Sequence, residues 1–187
     1  RPEIIEAFTN TIFPLSLEIR KRKIAIKHRP KSIIATANPL YPHMEKIISE
    51  TFQAPVFNRY GSEEAGPIAS TCPKGRMHVN PYTHFVEIVD ERGNPINNGT
   101  GRILITLLTN RSMPLVRYDI GDLGTVSENK SECPCGRDWQ TLERVSGSST
   151  QLFRKRDGTY KNPGYLSVLI GVEENEGLVK RFQIIQE

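Results

Sequence analysis

The sequence predicts an α/β fold in which the end of a parallel βαβ layer is followed by an antiparallel, barrel-like β segment. Short apolar runs at residues 31–38 and 54–61 flank a stretch at 41–53 whose apolar side chains recur on one helical stripe. From residue 83 to 110 the pattern changes to alternation with period two around turn residues. Strand, helix and strand in this order give parallel pairing, whereas alternating runs joined by short turns give antiparallel hairpins.

The N-terminal third supplies the predicted βαβ unit. Apolar residues at mixed three- and four-residue spacings predict a helix over residues 2–26, which Pro14 is expected to divide. Residues 31–38 are a short apolar run and predict a buried strand. The next helix carries an apolar stripe made of Met44, Ile47, Ile48 and Phe52.

The β-rich segment contains the turn signals "RGNP" at 92–95 and "NNG" at 97–99. Residues 114–128 predict a further strand pair broken at Gly121, so the segment is expected to form a small barrel or twisted sheet. After "LERVSGSS" (142–149) the sequence turns small and polar, which is typical of a linker. The tail holds a hairpin signal at Asp157-Gly158, a short helix and a final strand over 181–186.

Composition favours a soluble globular protein of the cytoplasm. The 187 residues are 37% apolar and 25% charged, and no run approaches the roughly 18 apolar residues of a membrane span. The start has no initiator Met and no apolar signal core, which suggests a piece of a longer chain. Three cysteines without an export signal favour a reduced compartment. The net charge is +4, but the few aromatics (7%) do not interleave with the basic clusters, so nucleic acid is not an expected partner.

Two motifs carry residues suited to a nucleotide. In "NRYGSEEAGPIA" (58–69), a glycine follows a buried strand, and Ser62, Glu63 and Glu64 offer a hydroxyl and two carboxylates for phosphate and magnesium. In "MPLVRYDIGDLG" (113–124), Asp122 at a turn could accept hydrogen bonds from both hydroxyls of a ribose. Taken alone, each motif also fits an ordinary turn with solvated acids.

The cysteines raise a separate question. Cys133 and Cys135 are too close in sequence for an unstrained disulfide, and a redox pair usually has two intervening residues. Cys72 and His78 could complete a four-ligand zinc site with them. Two buried cysteines and an unrelated surface histidine explain the same residues, and the residues alone leave both interpretations open.

Several of these motifs together resemble a known family. "YGSEEAGPIASTC", His78, "VEIVDERGNPINNGTGRILIT", "MPLVRYDIGD" and "CPCGR" resemble the phenylacetate–coenzyme A ligase-like branch of the adenylate-forming enzymes. This branch includes proteins of capsular polysaccharide biosynthesis. The resemblance runs from about residue 30 to the C-terminus. It implies a partial adenylate-forming fold: the end of the parallel subdomain (1–66), a β-rich subdomain with the zinc site (67–146), and a hinge with the truncated start of a mobile α+β C-terminal domain (147–187).

The resemblance also implies a role for each motif. Tyr60 would stack on adenine, Gly61 and Ser62 would line the nucleotide, Glu64 would hold Mg²⁺ against the phosphates as a catalytic residue, and Asp122 would bind the ribose. The family activates a carboxylic acid with ATP as an acyl-adenylate and transfers the acyl group to coenzyme A; an aromatic acid is expected. Zinc on Cys72, His78, Cys133 and Cys135 would be structural, and His84 would lie beside the acyl pocket.

The sequence departs from the family pattern at several positions. Glu63 stands where Ser or Thr is common, and Ser148 and Gln151 stand where the hinge often has Arg and Asp. The family's phosphate loop lies N-terminal of this region and its catalytic lysine lies beyond Glu187. The chain is therefore expected to be an inactive fragment of the ligase. Alternatives are a degenerate family member or a non-catalytic, zinc-stapled binding module. The expected partners are a small carboxylic acid and ATP. No membrane is expected as a partner, and the sequence does not decide whether the protein forms a homodimer.

Overall fold

The computed structural model describes residues 2–128, 132–148, 153–154 and 160–161. These residues form two helices and twelve strands, and the strands make three sheets with the orders β1-β2-β3-β4-β5-β9, β10-β8-β7-β6 and β11-β12. The elements are β1 (Ile4–Phe8), α1 (Thr9–Lys21), β2 (Ser32–Thr36), α2 (Pro42–Phe52), β3 (Val56–Ser62), β4 (Gly66–Thr71), β5 (Met77–Val79), β6 (His84–Val89), β7 (Gly99–Leu107), β8 (Tyr118–Val126), β9 (Thr141–Leu142), β10 (Arg144–Ser148), β11 (Phe153–Arg154) and β12 (Tyr160–Lys161).

The six-stranded sheet is parallel over its first three strands and antiparallel over the rest. The predicted βαβ unit is confirmed, because β2, α2 and β3 follow in order and the two strands pair in parallel. Both helices supply buried side chains to one core with the strands, as the apolar stripe on α2 predicts. This core consists of Ile12, Ile33, Ala35, Ile48, Phe52, Ala54 and Val56.

The N-terminal helix prediction is wrong over its first residues. Residues 4–8 form β1, which pairs in parallel with β2, and only Thr9–Lys21 is helical. Five residues are too few to separate a helical period from a period of two, and here Ile5 and Ala7 point inward as in a strand. Pro14 lies inside α1 without dividing it. Its ring is exposed, and the carbonyl that loses its N–H partner belongs to the exposed Asn10, where water can replace the bond.

The antiparallel prediction for the second segment is confirmed, with one correction. β6, β7, β8 and β10 pair antiparallel, and Val86, Ile88, Ile103 and Ile105 point into the core. Residues around Gly121 form one continuous strand, β8, rather than a broken pair. The pairing register shifts between Arg102 and Leu104, and Gly121 takes a φ of +80° there. The glycine therefore permits a bulge within the strand, not a reversal of the chain.

A second core joins the two large sheets. It combines Ala65, Ile68, Ala69, Val79 and Leu142 from the first sheet and its loops with Val86, Ile88, Ile103, Ile105 and Val126 from the second. The six-stranded sheet continues across the predicted boundary after residue 66, since β4 begins at Gly66. The domain boundaries themselves stay predictions.

The C-terminal tail is described only at one hairpin. β11 and β12 pair antiparallel, as the Asp157-Gly158 signal predicts, whereas the turn itself lies outside the described residues. The predicted short helix and the final strand over 181–186 also lie outside them. Among the described residues, no helix is both long and apolar enough to cross a membrane.

Candidate nucleotide and metal sites

The two predicted nucleotide motifs meet at one hydrogen bond. The hydroxyl of Tyr60, on β3, donates to the Asp122 carboxylate oxygen Oδ2, on β8, at 2.8 Å. The two residues are 62 positions apart in sequence and lie in different sheets. The structure therefore brings together the residue predicted to stack on adenine and the residue predicted to bind the ribose.

Burial controls the protonation of this pair. Burial raises the pKa of Tyr60, and the charge of the neighbouring Asp122 carboxylate raises it further. Burial also raises the pKa of Asp122, while the hydrogen bond from Tyr60 acts in the opposite direction. Tyr60 consequently stays a hydroxyl donor, and its hydrogen bond favours the ionised carboxylate as acceptor.

The acidic motif forms the turn between β3 and β4. Ser62 Oγ accepts a hydrogen bond from the backbone N–H of Ala65 at 3.2 Å, which holds the turn in place. The side chains of Glu63 and Glu64 are exposed. The pKa of Glu64 is lowered, first by hydrogen bonding to its own backbone and then by the Ser62 hydroxyl. Glu64 therefore presents an ionised carboxylate to solvent, 3.4 Å from the hydroxyl of Tyr118.

Gly61 has a structural requirement of its own. A Cβ at this position would lie 2.3 Å from the backbone oxygen of Gly66 on the opposing strand. The pairing of β3 with β4 shifts register between Tyr60 and Gly61, so the strands approach each other closely there. The approach of the protein backbone thus explains the glycine without a ligand.

His84 fixes the same turn from the second sheet. Its side chain is only 3% exposed. Nε2 lies 2.9 Å from the Ala65 carbonyl oxygen, and Nδ1 lies 2.8 Å from the Thr83 hydroxyl. A neutral ring satisfies both contacts by donating from Nε2 and accepting at Nδ1. Burial lowers the pKa of His84, in keeping with a neutral ring. The sequence pattern gave no sign of this contact, because the partner is a backbone carbonyl in another sheet.

We expect His84 to make the free energy of unfolding fall in mild acid. Above the unfolded-state pKa of about 6.5 the ring is neutral in both states, so this contribution is fully present. Below that pH the unfolded chain takes up a proton that the folded chain takes up only at lower pH, and stability is lost. Urea unfolding between pH 7.5 and 5 measures this slope. His84→Gln, which keeps a donor, is expected to flatten it, and the control His28→Gln, at a partly exposed histidine, is not. Equal slopes in the wild type and His84→Gln would contradict the role of His84.

The four predicted zinc ligands lie together. Cys72 follows β4, His78 lies on β5, and Cys133 and Cys135 lie in the loop before β9. Their ligand atoms are all within 4.8 Å of one another. Cys72 Sγ lies 3.7 Å from Cys133 Sγ, and Cys135 Sγ lies 3.5 Å from His78 Nε2. The interpretation in which an unrelated histidine lies on the surface does not fit, because His78 is 4% exposed.

Two similar turns present the cysteines. In "CPKG" the N–H of Gly75 donates to the Cys72 carbonyl at 2.8 Å, and in "CPCG" the N–H of Gly136 donates to the Cys133 carbonyl at 2.9 Å. Both glycines have positive φ, 78° and 79°. This repeated Cys-Pro-x-Gly pattern is a signal in the sequence that our motif analysis missed. The turns bring two distant segments to one point in the same local geometry.

The chemistry of this cluster fits a metal ion. The pKa of Cys135 is lowered to about 7, chiefly by a hydrogen bond from the backbone of Arg137. Burial raises the pKa of Cys133 and lowers that of His78, so close thiolates need a cation to be stable together. Three sulfurs and one imidazole nitrogen are a ligand set that zinc takes in tetrahedral structural sites. Among the described atoms, His78 Nδ1 is buried without a well-formed hydrogen bond, but the nearby Trp139 backbone raises the pKa of His78 as a weak partner does.

The hinge residues can be only partly located. The backbone of Ser148, at the end of β10, pairs with that of Asp122. Gln151 and the side chain of Ser148 lie outside the described residues. The expected effect of these two residues on a domain hinge stays a prediction.

Two curated relatives match nearly the whole chain. It is 25% identical over 184 residues to Protein CapK of Staphylococcus aureus, covering 97% of this chain and 39% of CapK. It is 28% identical over 192 aligned residues to a phenylacetate–coenzyme A ligase of Thermus thermophilus, covering 99% of this chain and 42% of that protein. The chain thus spans about two fifths of each relative. No family model matches the sequence.

Solved structures show the same fold. An open form of 2-hydroxyisobutyryl-CoA ligase, in complex with 2-HIB-AMP and CoA, matches with a TM-score of 0.75 at 21% identity, covering 94% of this chain and 43% of the ligase. The anthranilate CoA ligase AuaEII, in complex with anthranoyl-AMP, matches with a TM-score of 0.61 at 15% identity, covering 92% of this chain and 34% of the ligase. The predicted partial adenylate-forming fold is confirmed. The sequence relatives confirm the predicted resemblance to the phenylacetate–coenzyme A ligase-like branch of the adenylate-forming enzymes.

Proposed function

We propose that this chain is part of an ATP-dependent acid–thiol ligase, which activates a carboxylic acid as an acyl-adenylate and transfers the acyl group to coenzyme A. The observation that carries this proposal is the Tyr60–Asp122 hydrogen bond, which unites both nucleotide motifs at 2.8 Å. The similarity to a phenylacetate–coenzyme A ligase supports it. Solved ligases of this fold hold an acyl-AMP and CoA, which is consistent with ATP and coenzyme A as co-substrates.

Each site residue has a proposed role in the nucleotide complex. The ring of Tyr60 stacks on adenine, Gly61 and Ser62 line the nucleotide, and Asp122 accepts hydrogen bonds from the ribose hydroxyls. Glu64 is the catalytic and magnesium-binding residue, since its ionised carboxylate is exposed on the β3–β4 turn. A bound Mg²⁺ would neutralise charge on the phosphates. The chain's own part is to hold the nucleotide between two sheets.

The proposed acid substrate is aromatic, and the proposed compartment is the cytoplasm. Phenylacetate and anthranilate, the acids of two similar ligases, are aromatic, whereas 2-hydroxyisobutyrate is not. The proposed division into subdomains at residues 66 and 146 follows the family resemblance. A homodimer is compatible with this proposal but not required by it.

The proposed zinc ion is structural. Four protein ligands leave it no open position for a substrate. It would tie the loop after β4 to the loop before β9, which keeps β5 and β9 paired. The nucleotide motif on β3 and β4 would gain rigidity from this connection.

We expect these 187 residues to fail at adenylation by themselves, because in the family they resemble the phosphate loop and the catalytic lysine lie outside the matching region. Pyrophosphate exchange with a panel of aromatic and aliphatic acids measures this. Robust exchange would contradict the prediction.

Nucleotide binding tests the proposed site independently of catalysis. ATP with Mg²⁺ is expected to raise the melting temperature of the wild type but not of Asp122→Asn. The exposed control Asp138→Asn is expected to respond like the wild type. An ATP shift that survives in Asp122→Asn would count against the proposed site. Salt-sensitive binding to DNA or RNA in place of ATP would favour the binding-module alternative.

A further inference from the structure

Tyr60 contacts Asp122 through its hydroxyl, while its ring contacts apolar side chains of the core. The ring packs, half-buried, against the core that joins the two sheets. The hydroxyl reaches Asp122 Oδ2 at 2.8 Å. The ring and the hydroxyl can therefore have separate roles, and a Phe at this position would remove only the second.

The backbone of Asp122 pairs with that of Ser148 on β10, but this pairing does not fix the orientation of the Asp122 side chain. Asp122 follows Gly121 (φ +80°) in the bulge of β8, between the paired positions Asp119 and Leu123. A carboxylate on a bulge can rotate about its side-chain bonds unless a neighbour holds it. Here the neighbour is Tyr60, whose hydroxyl donates a hydrogen bond to the Asp122 side chain.

We propose that the Tyr60 hydroxyl is a positioning group for Asp122, holding one carboxylate oxygen so that the other is aimed at the ribose hydroxyls of a bound adenine nucleotide. This rests on the proposed nucleotide-binding function. A carboxylate has two oxygens and about four acceptor positions, so the bond from Tyr60 leaves capacity for a ribose diol. A hydrogen bond to an ionised group is stronger than a neutral one, and it keeps the carboxylate in one orientation before the ligand arrives.

The affinities of the chain for AMP and for 2′,3′-dideoxy-AMP test the proposal. Both ligands carry adenine and phosphate, but only AMP has the ribose hydroxyls. Amide chemical shifts in an NMR titration give both dissociation constants and show in the same spectra whether each variant is folded. We expect the wild type to prefer AMP by about tenfold or more, as hydrogen bonds to a charged group allow.

Tyr60→Phe is expected to reduce this preference by about fivefold to tenfold while leaving the affinity for dideoxy-AMP nearly unchanged. The matched control Tyr82→Phe, at a side chain that is 77% exposed, is expected to keep the full preference. In an Asp122→Asn background, Tyr60→Phe should cause no further loss, because its effect passes through the carboxylate. This background also provides a second measurement of the coupling if Tyr60→Phe alone folds poorly.

The outcomes separate this proposal from the function on which it rests. A wild type without preference for AMP would overturn the ribose role of Asp122 and this inference with it. A wild-type preference that Tyr60→Phe retains would overturn only the positioning role. Equal loss of affinity for both ligands would also overturn that role, since it would mean that the hydroxyl supports the fold or the stacking and not the ribose contact.

Discussion

Replacing Cys133 with serine is expected to remove zinc from the chain and to lower its free energy of unfolding by at least about 3 kcal/mol. Structural zinc contributes on the order of 10 kcal/mol to the folding of small zinc-binding peptides, because binding and folding are coupled there. Here the ligands come from two segments, and Cys133 is 6% exposed. Loss of one thiolate leaves the three remaining ligands near one another without enough coordination to hold the ion.

Atomic absorption and urea unfolding measure the two parts of this prediction. The wild type is expected to hold about one zinc per chain and to lose stability when EDTA is added. His78→Asn is expected to behave like Cys133→Ser, whereas His28→Asn, at a partly exposed histidine outside the cluster, is the matched control. A Cys135→Ser protein with full zinc content and full stability would contradict the four-ligand site.

Gly101→Ala is expected to destabilise the fold by about 3 kcal/mol or more. A Cβ at this position on β7 would lie 2.2 Å from the Val89 carbonyl oxygen and 3.1 Å from Ile88 Cγ2. The nearest atom belongs to the backbone of β6, which is paired to β7 over six residue pairs. The clash can be relieved only by moving β7 and the edge strand β6 apart, and Gly101 is itself buried.

Chemical denaturation followed by circular dichroism tests this prediction. Thr100→Ala, at the neighbouring exposed position of the same strand, is the control and is expected to change stability by no more than about 0.5 kcal/mol. An unchanged denaturation midpoint for Gly101→Ala would mean that the two strands can separate at low cost. In that case the close approach at this glycine would not be a constraint on the fold.

Much of the fold could be predicted because its apolar patterns are long enough to have one period. The stripe on α2 and the alternation of β6 and β7 each extend over several repeats, and both predictions are confirmed. The pattern of β1 covers five residues, which satisfy a helical period as well as a strand. A glycine such as Gly121 is compatible with both a turn and a bulge. Which of the two forms depends on the pairing of β8 with β7.

The candidate sites were predictable to different degrees. Residue type made the cysteines and His78 candidates for one zinc site but left an alternative open, and it was the family resemblance that implied zinc on all four. The hydrogen bond between Tyr60 and Asp122 depends on how two sheets pack, which no local spacing encodes. The contact of His84 with the Ala65 carbonyl is hidden for the same reason.

The order of strands in the six-stranded sheet also has a consequence for synthesis on the ribosome. β9 pairs with β5 although more than sixty residues of chain separate them, and Cys133 and Cys135 emerge just before β9. Until then β5 is an unpaired edge strand of the nascent chain. Cys72 and His78 lie beside it, but the other two ligands of the metal site have not yet been synthesised. Closure of that edge and completion of the ligand set therefore wait for the same segment of the nascent chain.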